Sequence, residues 1–507
     1  MPLALASGDS SLCIGSPFDS RKGDLDGVVA GIGVWDAALD IVDLMDVMSG
    51  VGAKPTREWA MDAVRDPDRV PSLTATAMDM ELFNAPAWSS QVPAPLSSDG
   101  RPLIRPGSVH FHTDDVADCS WPVVHEVTIP PDAASGFYTV SLSDESCAIE
   151  VPFIVAGRSN TALLVSTLTW QAYGNLGRDP QTFPGRSHYS LHDDGSPVIV
   201  STCLRPCPTL DPHARLEVEG GDGFADHEAV VTHLMMADLY AWHWLRTEGV
   251  EPVVIDDRAL HADGAAALDG VRVLVLSAHP EYWTSSMLDA LQEFTGRGGH
   301  VIYLGGNGLY WVTSLHPSKP YLMEVRRWGG SQTCSVEEVD RRHQFEDRLG
   351  GLWADSKRPP NAFVGVGFAG FGAGPSMTFE RRASSYADEW AWAFEGVEGP
   401  RLGGEGINVG ACNEFDSFNP ALAPDGRSTI LASSIPTSND HFGVFEAGGG
   451  RAPADGIEAD LVVTVNGSGA MTLALSSITA SGCLVVQGRD TPMKRLCSNF
   501  LHRMLKT

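Results

Sequence analysis

Apolar residues fall into two regimes along the chain. From Val109 to Val155 they alternate with polar ones in SVHFH, HEVTI, GFYTVSL and IEVPFIV, and PPDAASG and SDES punctuate the runs. Period-two alternation broken by turn residues predicts a small antiparallel β unit. After Gly157 the alternation stops. TALLVSTLTW, EPVVID, VRVLVLS and HVIYLGG are nearly unbroken apolar runs, the pattern of strands buried on both faces. Amphipathic stretches lie between them: EAVVTHLMMADLYAWHWLRTE over 228–248, ended by Gly249, and SSMLDALQEFTGRG. Strands alternating with helices of roughly 10–15 residues predict βαβ units and a parallel sheet. Further strands are expected at AFVGVGF, SMTFE, DLVVTV, AMTLALSS and CLVVQG, with a closing helix in MKRLCSNFLHRML.

The pattern divides the chain into 1–55, with short strands; 56–105, rich in Pro, Ser, Asp and Ala and read as linker and loops; 106–157, the antiparallel unit; and 158–507, an α/β domain. The phrase IGSPFD with GDLDGVVAGIGVWDAALDIVDL resembles the last strands of a laminin-G or concanavalin-like β-sandwich. Only the end of such a domain is visible, and an incomplete sandwich leaves sheet edges open. The resemblance implies that the missing strands come from another chain or lie outside this reading frame. The expected fold class is thus α/β, a parallel-sheet domain of the amidotransferase or flavodoxin kind preceded by β-sandwich elements.

Charge removes several functions from consideration. Lys and Arg number 35 against 64 Asp and Glu, a formal charge of −29. Such a surface repels phosphate backbones and anionic lipid, so neither nucleic acid nor membrane is an expected partner. No segment approaches the ~18 consecutive apolar residues of a membrane span, and MPLALASGDSS lacks the basic region of a signal peptide. The nine cysteines are scattered, and the closest pair, in CLRPC, lacks the CxxC spacing of a redox or zinc motif. Reduced thiols in a cytoplasmic protein are the expectation.

In open parallel sheets ligands bind beyond the carboxyl ends of the strands. Two loops leaving those ends carry unusual content: AHPEYWT, with His279, Glu281, Tyr282 and Trp283, and NGLYW, with Asn307, Tyr310 and Trp311. The bland alternative is that the tryptophans plug the top of the sheet. Familiar motifs fail. The histidines of HEAVVTH are too far apart for HExxH, GVGFAG lacks the helix and later acid of a dinucleotide site, and no GxSxG elbow occurs. Without an ordinary nucleophile, a metal-activated water becomes attractive.

The stretch LVLSAHPEYWTSSMLDALQEFTGRGGHVIYLGGNGLYWVTSLHPSKPYLMEVRRWGG resembles the large (beta) subunit of N,N-dimethylformamidase, as do TLTWQAYGN, SVHFHTDDVADCSWPVVHEVTIP and RLGGLW with RPPNAFVGVGF. The similarity covers most of 105–507. It implies a hydrolase of small amides that holds one ferric ion through two tyrosines and a glutamate. Carried over residue by residue, the metal ligands are Tyr282 of HPEYW, Tyr240 of ADLYAWHWL and Glu346. For this last ligand the family has a glutamate just before Gly-Gly-Leu-Trp, where this chain has Arg348 with Glu346 and Asp347 nearby. His343 is a neighbouring polar group. Glu414 of GACNEFD matches the general base. Asn307 is placed to donate to the developing oxyanion, and Trp283, Trp311 and Phe368 to wall an apolar N-substituent. The family also implies a small-subunit partner, and with the partial sandwich this suggests a homo-oligomer. Two rivals stay open: a metal-free amidase or esterase on the same sheet, and a carbohydrate- or protein-binding module without turnover.

Overall fold

The computed structural model describes residues 14, 25–48, 51–61, 66–75, 77–89, 107–144, 148–207, 210, 233–330, 341–405, 410–424, 426–434, 441–444, 458–486 and 490–507. Among the described residues nine strands build the central sheet: β1 Thr161–Val165, β2 Val253–Asp256, β3 Val273–Leu276, β4 His300–Tyr303, β5 Phe379–Arg381, β6 Arg401–Leu402, β7 Arg427–Ser434, β8 Asp460–Val465 and β9 Met471–Ala474. Their spatial order is β2-β1-β3-β4-β9-β8-β7-β5-β6. The first five run parallel. From β9 outward every pairing is antiparallel. The sheet is therefore mixed, its parallel half followed by an antiparallel extension.

Every residue of β1, β3 and β4 is buried, which is why these strands read as unbroken apolar runs. The helices that cover them are α1 Thr167–Tyr173, α2 Met235–Thr247, α3 Asp257–Asp263, α4 Ser285–Gly296 and α5 Pro492–Lys506. Their starts follow from local chemistry. Asp256 accepts from Ala259 N at 2.8 Å to cap α3, and Thr284 accepts from Met287 N at 3.4 Å to cap α4. Thr491 caps α5, whose first residue is proline. The inner face of α5 buries Met493, Leu496, Cys497, Phe500, Leu501 and Met504 at three- and four-residue spacing. The chain leaves β1 for β2 on one side and returns to β3 on the other. That reversal opens a crevice between β1 and β3 at their carboxyl ends.

Several expectations meet a different local structure. AFVGVGF begins as a short helix, Asn361–Val364, started by Pro359 and Pro360 and closed by Gly365 at φ 86°, and its strand runs from Gly367 to Met377. CLVVQG was expected as a strand, but Ala480–Leu484 forms a 3₁₀ turn held by Ser477 and Thr479, whose Oγ1 reaches Gly410 O at 2.5 Å. Of the 228–248 helix, residues 228–232 lie outside the described residues, and α2 begins at Met235. HEVTI carries no strand pairing, and its apolar side chains are exposed.

Of the expected sandwich fragment 1–55, residues 1–13, 15–24 and 49–50 lie outside the described residues. Strand Gly27–Val29 pairs with Ser108–Phe111, which also pairs with Ala87–Ser89. Gly31–Val34 pairs with Arg57–Ala60, and Arg69–Val70 with Met80–Glu81. The 56–105 segment, expected as linker, thus contributes strands and, together with Val109, a small core of Trp59, Met61 and Val70. It also docks on the main domain. Gln344 accepts from Trp88 N at 2.8 Å and donates to Pro86 O at 3.1 Å, and Arg326 Nη1 donates to Trp88 O at 3.1 Å. Among the described residues no helix is long and apolar enough to cross a membrane.

Candidate functional site

The crevice gathers its side chains from four places. After β3 the turn Ser277–Pro280, with Ala278 at φ 35°, delivers His279, Glu281 and Tyr282. After β4 the loop Gly305-Gly306-Asn307-Gly308 carries Asn307 at φ 48° and leads into strand Trp311–Leu315, where Trp311 pairs with Tyr282. Glu414 and Asp416 come from strand Ala411–Ser417, antiparallel to Gly367–Met377. Tyr173 ends α1, and Tyr189 follows in the next loop.

Hydrogen bonds tie these groups into one buried set. Tyr282 donates its hydroxyl to Tyr189 Oη at 2.8 Å, and Tyr189 donates to Glu281 Oε1 at 2.9 Å. Trp311 Nε1 donates to the same Glu281 oxygen at 2.9 Å. Asn307 Nδ2 donates to Glu414 Oε2 at 3.1 Å, and Glu281 Oε1 lies 3.5 Å from it. His279 Nε2 stands 2.8 Å from Glu414 Oε2 and 3.3 Å from Glu281 Oε2, close for ion pairs but misaligned for hydrogen bonds. Its Nδ1 lies 2.8 Å from His233 Nδ1, so one of those nitrogens donates and the other accepts. Asp416 holds the loop in register: Oδ1 accepts from Asn307 N at 2.7 Å and Oδ2 from Tyr303 at 2.8 Å.

Electrostatics follow from burial and crowding. Burial disfavours charge on His279, but Glu414 and Glu281 outweigh it and raise its pKa above the usual value. Burial and the His279 charge hold His233 down to about 3, which keeps it neutral as the acceptor of the His279 Nδ1–H. Glu414 resists its own burial: His279 and the Asn307 amide keep its carboxyl below its ordinary value. Burial pushes Glu281 up to about 7, and Asp416 and Asp238 likewise. Tyr173, Tyr189 and Tyr282 are pushed well above 10, first by burial and then by Glu281.

The crevice thus gathers buried oxygen donors around the His279 imidazole, and among the described residues Glu281 Oε2 and Asn307 Oδ1 have no hydrogen-bond partner. A hard, highly charged cation fits this donor set, because such an ion replaces the phenolic protons that burial otherwise retains.

The sequence-derived residues divide. Tyr282, Asn307, Glu414 and Trp311 come together. Tyr282 makes its hydrogen bond and ring contact with Tyr189 and Tyr173, and neither Tyr240 nor Glu346 is among its partners. Tyr240 sits half-buried on α2. Glu346 pairs with Arg348 at 3.4 Å, and His343 Nδ1 lies 2.7 Å from Ser314 Oγ with its pKa pushed down to about 4 by burial. Both belong to the polar cluster around Glu324 and Arg326. Trp283 follows Tyr282 in the strand, so alternation turns it to the opposite face. Phe368 packs edge-on to Tyr310 at 5.3 Å. The sequence reading overlooked Tyr173, Tyr189 and His233 as site residues. Tyr173 was findable, since WQAY follows the first buried strand directly. Tyr189 lies in a loop without periodicity, and no local signal marks it.

A family model described as N,N-dimethylformamidase beta subunit-like, C-terminal, matches residues 93–491. Over 441 residues the chain is 28% identical to the N,N-dimethylformamidase beta subunit of Alcaligenes sp. Its identity to the beta subunit of Paracoccus aminophilus is 27% over the same length. Each alignment covers 79% of this chain and 56% of the relative, so the chain spans about half the length of the curated relatives it matches. A solved structure, the mmIFT52 N-terminal domain, aligns at 10% identity over 53% of this chain and 89% of its own, and its TM-score of 0.28 is too low to bear on the fold. With a match of this extent across the segments that build the crevice, the chain belongs to the N,N-dimethylformamidase beta subunit-like family.

Proposed function

We propose that the chain is the catalytic part of a hydrolase acting on small N-substituted amides of the dimethylformamide kind. The observation that carries this reading is the Glu414–His279 pair at 2.8 Å, with Asn307 3.1 Å from the same carboxylate oxygen, buried beside Tyr282 at the strand ends. Family membership supports it, since the curated relatives are named as N,N-dimethylformamidase beta subunits.

An amide resists attack because resonance stabilises its carbonyl. Glu414, kept ionised by His279 and Asn307, accepts the proton of the attacking water and passes it to the leaving nitrogen. Asn307 has a second amide N–H with only a long contact to Glu281, and this hydrogen donates to the oxygen that gains charge. Phe368 and Tyr310 offer an apolar surface for the N-substituent.

Iron belongs to the proposal with a revised ligand set. Tyr282 is kept, and Tyr189 and Glu281 take the places first given to Tyr240 and Glu346. A ferric ion held there supplies polarisation of the carbonyl oxygen and a lowered pKa for bound water, each worth several kcal/mol. A small-subunit partner and a homo-oligomer are part of the same reading.

The test is iron quantitation with visible spectroscopy, followed by an amide panel assayed for amine release. Wild-type chain binds iron with a tyrosinate charge-transfer colour and releases amine. Tyr282→Phe and Glu281→Gln lose both, Glu346→Gln keeps both, and Glu414→Gln keeps the colour but loses turnover by roughly 10²–10⁴-fold. A colourless chain whose turnover survives chelation refutes the metal and leaves the metal-free amidase. A chain that releases no amine from any amide refutes the function.

A further inference from the structure

A second cluster lies away from the phenols, where strand Ser108–Phe111 and the residue after it meet loop 185–196. His112 is 5% exposed, and among the described residues its Nδ1 has no hydrogen-bond partner. Around that nitrogen stand Asp115 Oδ1 at 3.4 Å and, on the far side of the same carboxylate oxygen, His192 Nε2 at 3.9 Å. Two ligand atoms each about 2.1 Å from one ion in a tetrahedron are roughly 3.4 Å apart, so these spacings are those of a metal site. Both imidazoles are also oriented from behind. His112 Nε2 lies 2.8 Å from Ser196 Oγ, and His192 Nδ1 lies 2.6 Å from Asp114 Oδ1, which in turn pairs with Arg186. A carboxylate behind a ligating histidine fixes its tautomer and raises its basicity.

We propose that His112, His192 and Asp115 are the protein ligands of a divalent transition-metal ion of the zinc type, which fastens loop 185–196 to the N-terminal strands. Two nitrogens and one oxygen suit zinc and leave a fourth position for water. Asp115 and His192 border a cleft with Asn84, Arg186 and Thr202, which gives that position an opening. His110 Nε2 and Asp194 Oδ2, 2.9 Å apart, flank His112 on its other side, where Asp194 Oδ2 lies 3.7 Å from His112 Nε2. The rings of His112 and His192 stack at 3.7 Å with 3° between their planes, so coordination by both requires one ring to turn and aim its lone pair. The fastening has a consequence. Loop 185–196 carries Tyr189, whose hydroxyl bridges Tyr282 and Glu281. The ion therefore acts as a clamp on a residue of the crevice, and the site itself stands independently of the amide-hydrolase reading.

The experiment uses the full chain, stripped with chelator and reloaded with Zn²⁺ or Co²⁺, with metal content, cobalt d–d absorption and Tm as readouts. Wild type and Tyr282→Phe each take up one equivalent of zinc at this site, develop the cobalt bands of a nitrogen-and-oxygen site, and gain a few degrees in Tm. Asp115→Asn, nearly isosteric, binds cobalt at least tenfold more weakly. His112→Ala loses the equivalent and the Tm gain. If His112→Ala does not fold, Asp115→Asn and His192→Gln read the same outcome. Zinc uptake unchanged in Asp115→Asn and His192→Gln, or no uptake by Tyr282→Phe, overturns the proposal. Either result leaves the phenol site untouched, because iron binding and amine release are read separately.

Discussion

Gly306→Ala tests whether the crevice is built by close approach of two backbones. A Cβ at this position would meet Glu414 O at 2.5 Å, Ile478 N at 2.9 Å and Ser477 Cα at 2.9 Å. All three are main-chain or Cα atoms, so no flexible side chain can move aside. Gly306 is not among the glycines with positive φ, so the effect is steric and not a matter of backbone strain. Ordinary Cβ contacts begin near 3.4 Å, so loop and strand must separate by up to about 0.9 Å, or distort. That disturbs the Ile478 N to Glu414 O hydrogen bond of 3.1 Å and the Asn307 contact to the Glu414 carboxylate. Overpacking costs about 1–3 kcal/mol, and the loss of a buried hydrogen bond about 1 more. At roughly 2 °C per kcal/mol for so large a domain, Tm falls by about 4–8 °C. A misplacement approaching 1 Å at reacting groups lowers kcat/KM on the order of 10²-fold. The control is Gly296→Ala at the end of α4, where an added Cβ meets nothing within 4 Å and alanine is the better helix former. Differential scanning fluorimetry and amine release read both. If Gly306→Ala melts within about 1 °C of wild type and keeps its activity within twofold, the proposed approach of Gly306 to Glu414 is wrong.

Two further outcomes follow from buried charge. Asp238 is pushed up to about 7 by burial, from an ordinary value of 3.8, while its Oδ2 accepts from Trp170 Nε1 at 2.9 Å. The folded chain keeps that proton where the unfolded chain has lost it. Its stabilising effect is thus full below about 3.8 and lost as pH rises through about 7, a decline of a few kcal/mol at roughly 1.4 per pKa unit. Denaturant titrations of the metal-free chain across pH 4–8 should show that decline, and Asp238→Asn should flatten it; an unchanged slope refutes the assignment. The Glu324–Arg326 pair, 2.7 Å apart and fully buried, also joins the lobes through Trp88 O. Arg326→Met alone should destabilise by roughly 3–5 kcal/mol by stranding Glu324, while Glu324→Gln with Arg326→Met recovers most of it. Equal losses in the single and double variants would show that the pair is not coupled.

What the sequence revealed and what it withheld have a common physical origin. The runs at 161–165, 273–276 and 300–303 were legible because burial on both faces leaves little choice but apolar residues. Tyr282, Asn307 and Trp311 were legible for a related reason: they leave those strands within a few residues, so strand position nearly fixes their place. Glu414 required family resemblance, since its strand reaches the crevice from more than 100 residues away. Tyr240 and Glu346, carried over by motif, are not among the side chains that Tyr282 touches. Motif spacing measures distance along the chain, whereas a ligand set depends on which loops fold over the strand ends. The 56–105 segment failed differently: strands of two to four residues are too short to display a period. Its pairing is set by partners such as Gln344 and Arg326, far away in sequence.

The same distinction explains why the histidine cluster passed unnoticed among the candidate ligands. HFH reads as ordinary strand alternation, and HDDG as a polar turn. Neither holds a metal alone, and only the docking of loop 185–196 on the N-terminal strands brings Asp115 Oδ1 to 3.9 Å from His192 Nε2. That docking also carries Tyr189 to the crevice, so one packing event assembles both sites. The parallel sheet positions His279, Glu281, Tyr282 and Asn307 from strand ends, the crossing strand supplies Glu414, and the loop supplies Tyr189. Loosening the loop should therefore cost the crevice a phenol before it disturbs the Glu414–His279 pair, because Asn307 holds Glu414 and His233 holds His279.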